Sequence, residues 1–217
     1  MSNKSYQQYC GIAAALDLVG DRWTLLILRE LSFGQQRFTD LRSGLPGIAT
    51  NLLADRLRDL EEAELVEQRE LPAPAARTVY ALTPGGRRII PVLRALAQFG
   101  IPFLPDPGDR DVRPRSAVFG GLAALLDPAA ARDADLRIRF VLDGEELWLE
   151  IRDGRIDRPD RDAKPDLVVV GSAKALVELY RGADPAALAP RLEITGSRAA
   201  RKAFRDLFPM PDPAPAG

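Results

Sequence analysis

The sequence predicts an α+β protein built from two domains, and three patterns lead to that prediction. In the first half, apolar residues recur at helical spacing until about residue 63 and then alternate as they do in strands. In the second half, short alternating runs are separated by Asp-Gly pairs, which are strong turn signals. Between the halves, prolines and aspartates crowd residues 101–115, a composition typical of a semi-rigid linker. We therefore expect domains over 1–104 and 118–210, a linker over 105–117 and a disordered tail over 211–217.

Composition excludes several classes of protein. The 217-residue chain has no histidine, which rules out a histidine general base, a Ser-His-Asp triad and a histidine-ligated zinc site. Its single cysteine, Cys10, rules out an intramolecular disulfide. Carboxylate or lysine chemistry stays open, but no constellation of such residues stands out, and we expect no enzyme, no cofactor and no metal. No apolar run approaches the roughly 18 residues that span a bilayer, and the polar N-terminus lacks the core of a secretion signal. We therefore expect a cytoplasmic protein without membrane insertion.

The first half begins with four predicted helices. They are expected over residues 12–19, 22–31, 37–42 and 48–63. The second helix is apolar nearly all round, which predicts a buried position at the centre of the domain. The third and fourth are separated by residues 43–47, where glycine and proline break the helix twice. The fourth carries Leu53, Leu57 and Leu60 on one inward stripe. Two helices joined by a short glycine-containing turn form a helix-turn-helix.

A hairpin follows the fourth helix. Alternating residues predict strands over 65–69 and 77–82, with a loop over 71–76 between them. A hairpin directly after a helix-turn-helix is a wing. Thr83 and Pro84 then predict the start of another helix, because threonine caps helices and proline suits their first position.

Seven short motifs in this half stand in order with their spacing intact. They lie at Cys10 and at residues 21–29, 38–41, 45–48, 56–57, 60–61 and 80–83. Together they resemble the HxlR-type winged-helix regulators over about residues 9–102. The resemblance implies a homodimer joined through the first and last helices of this domain. It also implies that the partner is double-stranded DNA with a palindromic operator.

The start of the fourth helix is the expected base-reading element. A helix end in the major groove presents its first outward side chains to base edges, and here these are Thr50 and Asn51. Asparagine bonds adenine in bidentate fashion. The other expected DNA contacts are Arg56 and Arg58 for a base or a phosphate, Arg22 and Arg37 for phosphates, and Arg77 for the minor groove or backbone. The alternative is that these arginines are solvated and paired with Asp55, Asp59 or Glu61.

The chain departs from the family at two places, and the role of Cys10 has two alternatives. Ala49 stands where the family often has serine, and alanine cannot cap the helix. The wing of the family often carries extra charge, whereas the loop over 71–76 offers only Arg77, at its end. In some HxlR-type regulators a cysteine near Cys10 senses oxidants or electrophiles, and Cys10 aligns with it. The alternative is a half-buried cysteine at a dimer contact.

The second half predicts a sheet with one covered face. Elements are expected as a helix over 118–126, two hairpin strands over 136–142 and 147–151, a strand over 166–170, a helix over 173–180, a strand over 192–194 and a helix over 198–208. Asp127 and Pro128 are expected to stop the first of these helices. Ser172 is expected to cap the second. Trp148 does not belong to the inward-facing residues Leu147, Leu149 and Ile151, so we expect it to face another domain or subunit.

Short motifs in this half lie at residues 153–154, 165–166, 171–172, 181–182 and 192–196. With the order of elements, they resemble the sterol-carrier-protein-like domain over about residues 118–210. The resemblance implies an apolar tunnel between sheet and helices that holds a fatty acyl chain, a sterol or a similar ligand. We expect the tunnel to be lined by Phe119, Leu122, Phe140, Leu149, Leu176, Leu179, Tyr180, Phe204, Leu207 and Phe208. The same residues would equally serve as a filled core.

Three functions follow from these patterns. The first is a homodimeric transcription repressor controlled by an apolar small molecule in its second domain. The second is a lipid or acyl carrier, or acyl-handling protein, whose winged helix only dimerises. In the third, the second domain is a filled module that serves structure or a protein partner. The predicted fold is common to all three: an N-terminal winged helix-turn-helix domain followed by a small α+β sterol-carrier-like domain whose sheet is covered by helices.

Overall fold

The structure, a computed structural model, describes residues 5–71, 77–105, 112–157 and 164–209. The chain forms two units, Met1–Leu93 and Arg94–Gly217. The boundary between them falls inside a helix, so the end of that helix belongs to the second unit. The wing tip, residues 106–111 of the expected linker and the expected tail lie outside the described residues.

Four helices open the first unit, as predicted. They are α1 (Gly11–Val19), α2 (Thr24–Ser32), α3 (Phe38–Gly44) and α4 (Thr50–Glu62). Leu53, Leu57 and Leu60 of α4 are buried in one core with apolar residues of α2 and α3. Helix α2 is buried over most of its length, as expected, with Ile27 and Leu28 fully buried, while Leu26 is 41% exposed at one edge.

The wing is an antiparallel hairpin of β1 (Val66–Leu71) and β2 (Arg77–Leu82). It is fastened to the helix-turn-helix by Gln36, whose backbone N–H donates to the Tyr80 carbonyl at 2.9 Å and whose carbonyl accepts from Tyr80 N–H at 2.7 Å. The buried Gln36 side chain also donates through Nε2 to the Glu30 carbonyl at 2.5 Å. The hairpin is therefore held against α2 and the start of α3.

The last helix of the first half, α5 (Ile90–Gly100), begins later than the sequence predicts. Thr83 does act as a cap, since its Oγ1 accepts from Gly86 N–H at 2.9 Å and donates to the Glu64 carbonyl at 2.6 Å. A 3-10 turn over Gly86–Ile89 comes first. Gly86 packs closely against the preceding segment, since a Cβ at this position would lie 1.9 Å from the Leu65 carbonyl oxygen.

The second unit contains a five-stranded sheet. Its strands are β3 (Asp135–Leu142), β4 (Glu145–Arg152), β5 (Arg155–Asp157), β6 (Leu167–Gly171) and β7 (Leu192–Gly196). They lie in the order β5-β4-β3-β6-β7, and only the β3–β6 pair is parallel. The predicted alternation holds, with the even-numbered residues of β3 from Leu136 to Leu142 buried. The Asp143-Gly144 and Asp153-Gly154 turns adopt positive φ at all four residues, which explains their composition.

Helices of the second unit depart from the prediction at its start. The helix expected over 118–126 begins at Ser116 and consists of two irregular turns, Ser116–Gly121 and Leu122–Leu125. Asp127 ends this segment and at once caps a short helix through its carboxylate. The helices that follow are α6 (Pro128–Ala131), α7 (Ala173–Tyr180), α8 (Pro185–Leu188) and α9 (Arg198–Leu207). Ser172 and Ser197 cap α7 and α9 by accepting backbone N–H bonds.

Trp148 corrects the expectation that it faces another subunit, while the alternative, that it faces another domain, stays a prediction. It lies on the opposite face of β4 from Leu147 and Leu149, beside Arg139 of β3. Its side chain is nevertheless buried, with 8% exposed, and its Nε1 donates to Glu146 Oε1 at 2.7 Å. Because the single chain already buries this ring, Trp148 does not present an exposed surface to another subunit.

Candidate functional site

The turn between α3 and α4 positions the expected base-reading residues. Leu45 and Ile48 anchor the turn in the core, while Gly47 takes φ +88°, a conformation that favours glycine. Helix α4 then begins at Thr50, and both Thr50 and Asn51 are exposed. Ala49 makes no side-chain cap, as predicted. The sequence thus buries one face of α4 and leaves its first outward side chains open to solvent.

Arg56 is engaged within the protein. Its Nη1 lies 2.7 Å from Asp21 Oδ2 and 2.6 Å from Asp59 Oδ2, and only 23% of its side chain is exposed. The pair with Asp21 joins α4 to the segment before α2. Contact with DNA would require breaking both ion pairs, so the geometry favours a positioning role for Arg56. Sequence spacing reveals the Asp59 partner, three residues away, but not Asp21.

The other expected arginines remain on the surface. Arg58 pairs with Asp55 but keeps 63% of its side chain exposed. Arg37, at the start of α3, and Arg77, at the start of β2, are both exposed. Arg22 is exposed and lies over the Trp23 ring, 5.7 Å from its centre. All four side chains are exposed, and their contact with phosphates stays a prediction.

One candidate does not emerge from the sequence. Arg42 is exposed on α3, and its side chain has no hydrogen-bond or ion-pair partner within the described part of the chain. It follows Arg37 by five residues and precedes the turn into α4. Its signal in the sequence is weak, since an arginine near a helix C-terminus is also explained by the helix dipole.

Cys10 lies at the surface, just before α1. It is fully exposed in the single chain rather than half-buried. The backbone N–H groups of Ala13 and Ile12, at the start of α1, lower the pKa of the Cys10 thiol. A lowered pKa raises the fraction of reactive thiolate at neutral pH.

We expect iodoacetamide to alkylate Cys10 faster in the native protein than in the denatured chain at neutral pH. The difference should disappear as pH rises toward the ordinary thiol value, because both states are then deprotonated. Mass spectrometry of quenched time points measures the two rates. Equal rates at neutral pH would show that the helix N–H groups do not activate the thiol.

Apolar side chains are exposed on two helices of the chain. On α5 and the turn after it, an exposed stripe consists of Val92, Leu96, Phe99 and Phe103, which we call the α5 stripe. Phe99 and Phe103 are 70% and 71% exposed, and their rings contact each other at 5.2 Å. On α1, Ile12 and Leu16 are exposed one turn apart. Exposed apolar stripes of this kind mark protein interaction surfaces.

The ten side chains expected to line an apolar tunnel all lie in the interior of the second unit, none more than 6% exposed. Phe204 and Phe208 contact each other with ring centres 5.2 Å apart. Tyr180 occupies the space that Gly121 leaves, and burial raises the pKa of Tyr180 to about 12. Two surface clefts found in the described part of the chain touch none of the ten. The side chains form a core, and a bound ligand remains a prediction.

No group of cysteine, aspartate and glutamate side chains in the described residues is arranged to hold a metal ion. No helix of the described chain has the length and apolar character needed to cross a membrane.

The first unit has a helix-turn-helix with an exposed α4 N-terminus, backed by a buried leucine stripe and followed by a fastened wing. This arrangement defines the class of winged helix-turn-helix transcription regulators. Residues 18–107 match the family described as HxlR-like helix-turn-helix, and residues 122–209 match the SCP-2 sterol transfer family. Both resemblances seen in the sequence are thereby confirmed.

Individual relatives match the first half of the chain. An HTH-type transcriptional regulator of Synechocystis is 40% identical over 95 residues, which is 44% of this chain and 70% of the relative. The HTH-type transcriptional regulator YodB of Bacillus subtilis is 34% identical over 96 residues, 44% of this chain and 85% of the relative. The structure of reduced YodB aligns at 32% identity with a TM-score of 0.40, over 44% of this chain and 95% of that one. The chain belongs to the HxlR-like helix-turn-helix family of transcriptional regulators.

Proposed function

We propose that the protein is a homodimeric repressor that binds a palindromic DNA operator in the cytoplasm and is controlled by an apolar small molecule bound in its second unit. The observation that carries the DNA-binding part is the α4 N-terminus, which is exposed while the rest of the helix is anchored. The relatives are transcriptional regulators, a class without catalytic function, and we propose no enzyme activity.

Dimerisation is supported by the exposed apolar side chains of α1 and α5. The α5 stripe spans three turns and would be costly to leave in water, since burial of apolar surface contributes roughly 25 cal/mol per Å². A two-fold dimer presents two α4 helices to DNA. Its operator would therefore be a palindrome with half-sites about one helical turn apart.

Within each half-site, we assign base reading to Asn51 and Thr50. Phosphate contacts are assigned to the exposed arginines Arg22, Arg37, Arg42, Arg58 and Arg77. Arg56 holds α4 against Asp21 and thereby sets the angle at which the helix enters the groove. This assignment separates specificity, carried by Asn51, from affinity, carried by the arginines.

The operator test starts from genomic DNA captured by the purified protein, sequenced and titrated at two salt concentrations. We expect a recurrent palindrome, and we expect Asn51→Ala to weaken binding to it by about 1–3 kcal/mol in each half-site, the usual contribution of one bidentate bond to a base. Glu62→Ala, at the exposed end of the same helix, is the matched control and should bind as the wild type does. Weak, sequence-blind binding that Asn51→Ala leaves unchanged would contradict the proposal.

Control by a ligand is supported by the way α5 is bonded within the second unit. Gln98 Nε2 donates to the Ala124 carbonyl at 3.0 Å. Arg181 Nη1 donates to the carbonyls of Leu104 at 2.9 Å and Pro105 at 3.2 Å. Ala124 and Arg181 directly neighbour segments that carry predicted lining residues. A ligand that shifts those segments would therefore act on the helix that carries the α5 stripe.

The ligand test uses oleic acid and cholesterol as probes. If one of them binds, as followed by displacement of a fluorescent fatty acid, operator affinity at saturation should change at least about fivefold. The double variant Gln98→Ala/Arg181→Ala should bind the probe equally well and respond less. Unchanged operator affinity at saturating probe would end the proposed control while leaving DNA binding intact.

A lipid or acyl carrier is the second candidate, favoured by the SCP-2 match over residues 122–209. In that case the winged helix serves dimerisation alone. Transfer of a fluorescent fatty acid between vesicles, together with no preferred DNA sequence, would establish this function in place of the first.

A further inference from the structure

Helix α9 carries a basic stripe that the proposed function leaves unused. Its outer side chains Arg198, Arg201 and Arg205 are exposed and fall within about 60° of arc, since each residue turns the helix by about 100°. Its inner side chains Phe204 and Leu207 are buried. We call the three outer residues the α9 arginine stripe.

The side chains of the three arginines have no hydrogen-bond or ion-pair partner in the described part of the chain. The neighbouring cation on the same helix, Lys202, differs in this respect. Lys202 is paired with Asp206 at 2.6 Å. Within the described part of the chain, the charges of the stripe are therefore not neutralised.

Two of the three arginines stand where the helix dipole is unfavourable for a cation. The first turn of α9 contains no acidic residue, while Arg198 and Arg201 stand there. Cations near a helix N-terminus oppose the helix dipole, whereas Arg205, in the last turn, complements it. The dipole of α9 therefore explains Arg205 but not Arg198 and Arg201, and an anionic partner would account for all three.

We propose that the α9 arginine stripe binds the phosphate backbone of DNA, as a second contact besides α4 and the wing. One observation favours DNA over a membrane. Helices that settle on membranes present exposed apolar side chains to the lipid, whereas the large apolar side chains of α9 are buried in the domain. Arginine matches the phosphates of the backbone through its planar fork of donors. The inference rests on the proposed DNA-binding function, because the stripe then meets a duplex already held by the same chain at high local concentration.

The test measures how DNA affinity depends on salt, for the full-length wild type and for Arg198→Gln/Arg201→Gln/Arg205→Gln. The slope of log affinity against log salt should fall by roughly 0.9 for each phosphate that the variant no longer neutralises, hence by about 2–3 per protomer. The matched control is Arg132→Gln/Arg155→Gln/Lys164→Gln, which removes the same charge from exposed positions outside α9. It should keep the wild-type slope. The charge-preserving variant Arg198→Lys/Arg201→Lys/Arg205→Lys should also stay close to the wild type.

Both a captured operator and a random-sequence duplex are titrated, because a phosphate contact acts on any sequence. Asn51→Ala is measured in parallel and tests α4 separately. If this variant bound the operator as tightly as the wild type, base reading by α4 would be contradicted. The salt slope on the random-sequence duplex would still test the stripe. Equal slopes for the stripe variant and the wild type would overturn the inference. An equal decrease of the slope in the matched control would also overturn the inference. So would a stripe variant that binds DNA as the wild type does but loses binding to vesicles containing phosphatidylglycerol.

Discussion

Replacing Phe99 by glutamate is expected to convert the protein from a dimer to a monomer and to weaken operator binding on the order of 100-fold. Phe99 is 70% exposed at the centre of the α5 stripe. A charge there would have to be buried without a partner in any dimer that uses the stripe. A monomer then reaches only one half-site, and linked sites commonly gain 10²–10⁴-fold over single ones.

Analytical ultracentrifugation and operator titration measure the two effects. Ala187→Glu is the control, since it adds the same charge to an exposed residue of α8. It should remain dimeric and bind the operator normally. A Phe99→Glu protein that stays dimeric with full affinity would show that the α5 stripe is not the dimer interface. Loss of helix content in that variant would be checked by circular dichroism, and Leu96→Gln then supplies a milder second test.

Much of the fold could be predicted from the sequence because the signals are local. The leucine stripe of α4 at helical spacing and the alternation from Leu136 to Leu142 each report a single buried face. Asp-Gly turns require positive φ, and both occur where expected. The order of elements given by these local signals supported the resemblance to two families, and the matches to both families confirm that resemblance.

What the sequence did not predict depends on contacts between distant residues. The Asp21 partner of Arg56 lies 35 residues away, and the burial of Trp148 depends on what covers its face of the sheet. The irregular turns of residues 116–125 are another case. Their apolar residues predict an ordinary helix, but the close approach of a tyrosine ring from α7 is invisible in the local pattern.

That close approach makes Gly121 a critical position of the second unit. A Cβ at Gly121 would lie 2.2 Å from the Tyr180 hydroxyl oxygen and 2.4 Å from Cζ of the ring. Its backbone, at φ −113° and ψ −76°, does not need glycine for conformational reasons. Space alone therefore excludes a side chain. Tyr180 is one of the predicted tunnel residues. The contact between Gly121 and the Tyr180 ring therefore determines how much of the predicted tunnel is filled by protein side chains rather than left for a ligand.

Gly121→Ala is expected to destabilise the second unit by about 3 kcal/mol, the upper part of the usual range for overpacked cores. For a domain of this size, each kcal/mol lowers the melting temperature by roughly 4–8 °C. Gly100→Ala is the matched control, because a Cβ there meets no atom within 4 Å and alanine favours a helix. Differential scanning calorimetry of the full chain measures both.

The double variant Gly121→Ala/Tyr180→Leu separates the clash from other effects. If the ring is the obstacle, the two substitutions should couple, and the double variant should recover part of the stability that Gly121→Ala loses. Additive losses would show that the segment yields elsewhere and that Tyr180 is not wedged against it. Recovery of stability together with new binding of oleic acid would indicate that Tyr180 fills space that a ligand can otherwise occupy. The interior would then be gated by one side chain, and ligand affinity in the wild type would include the cost of moving it.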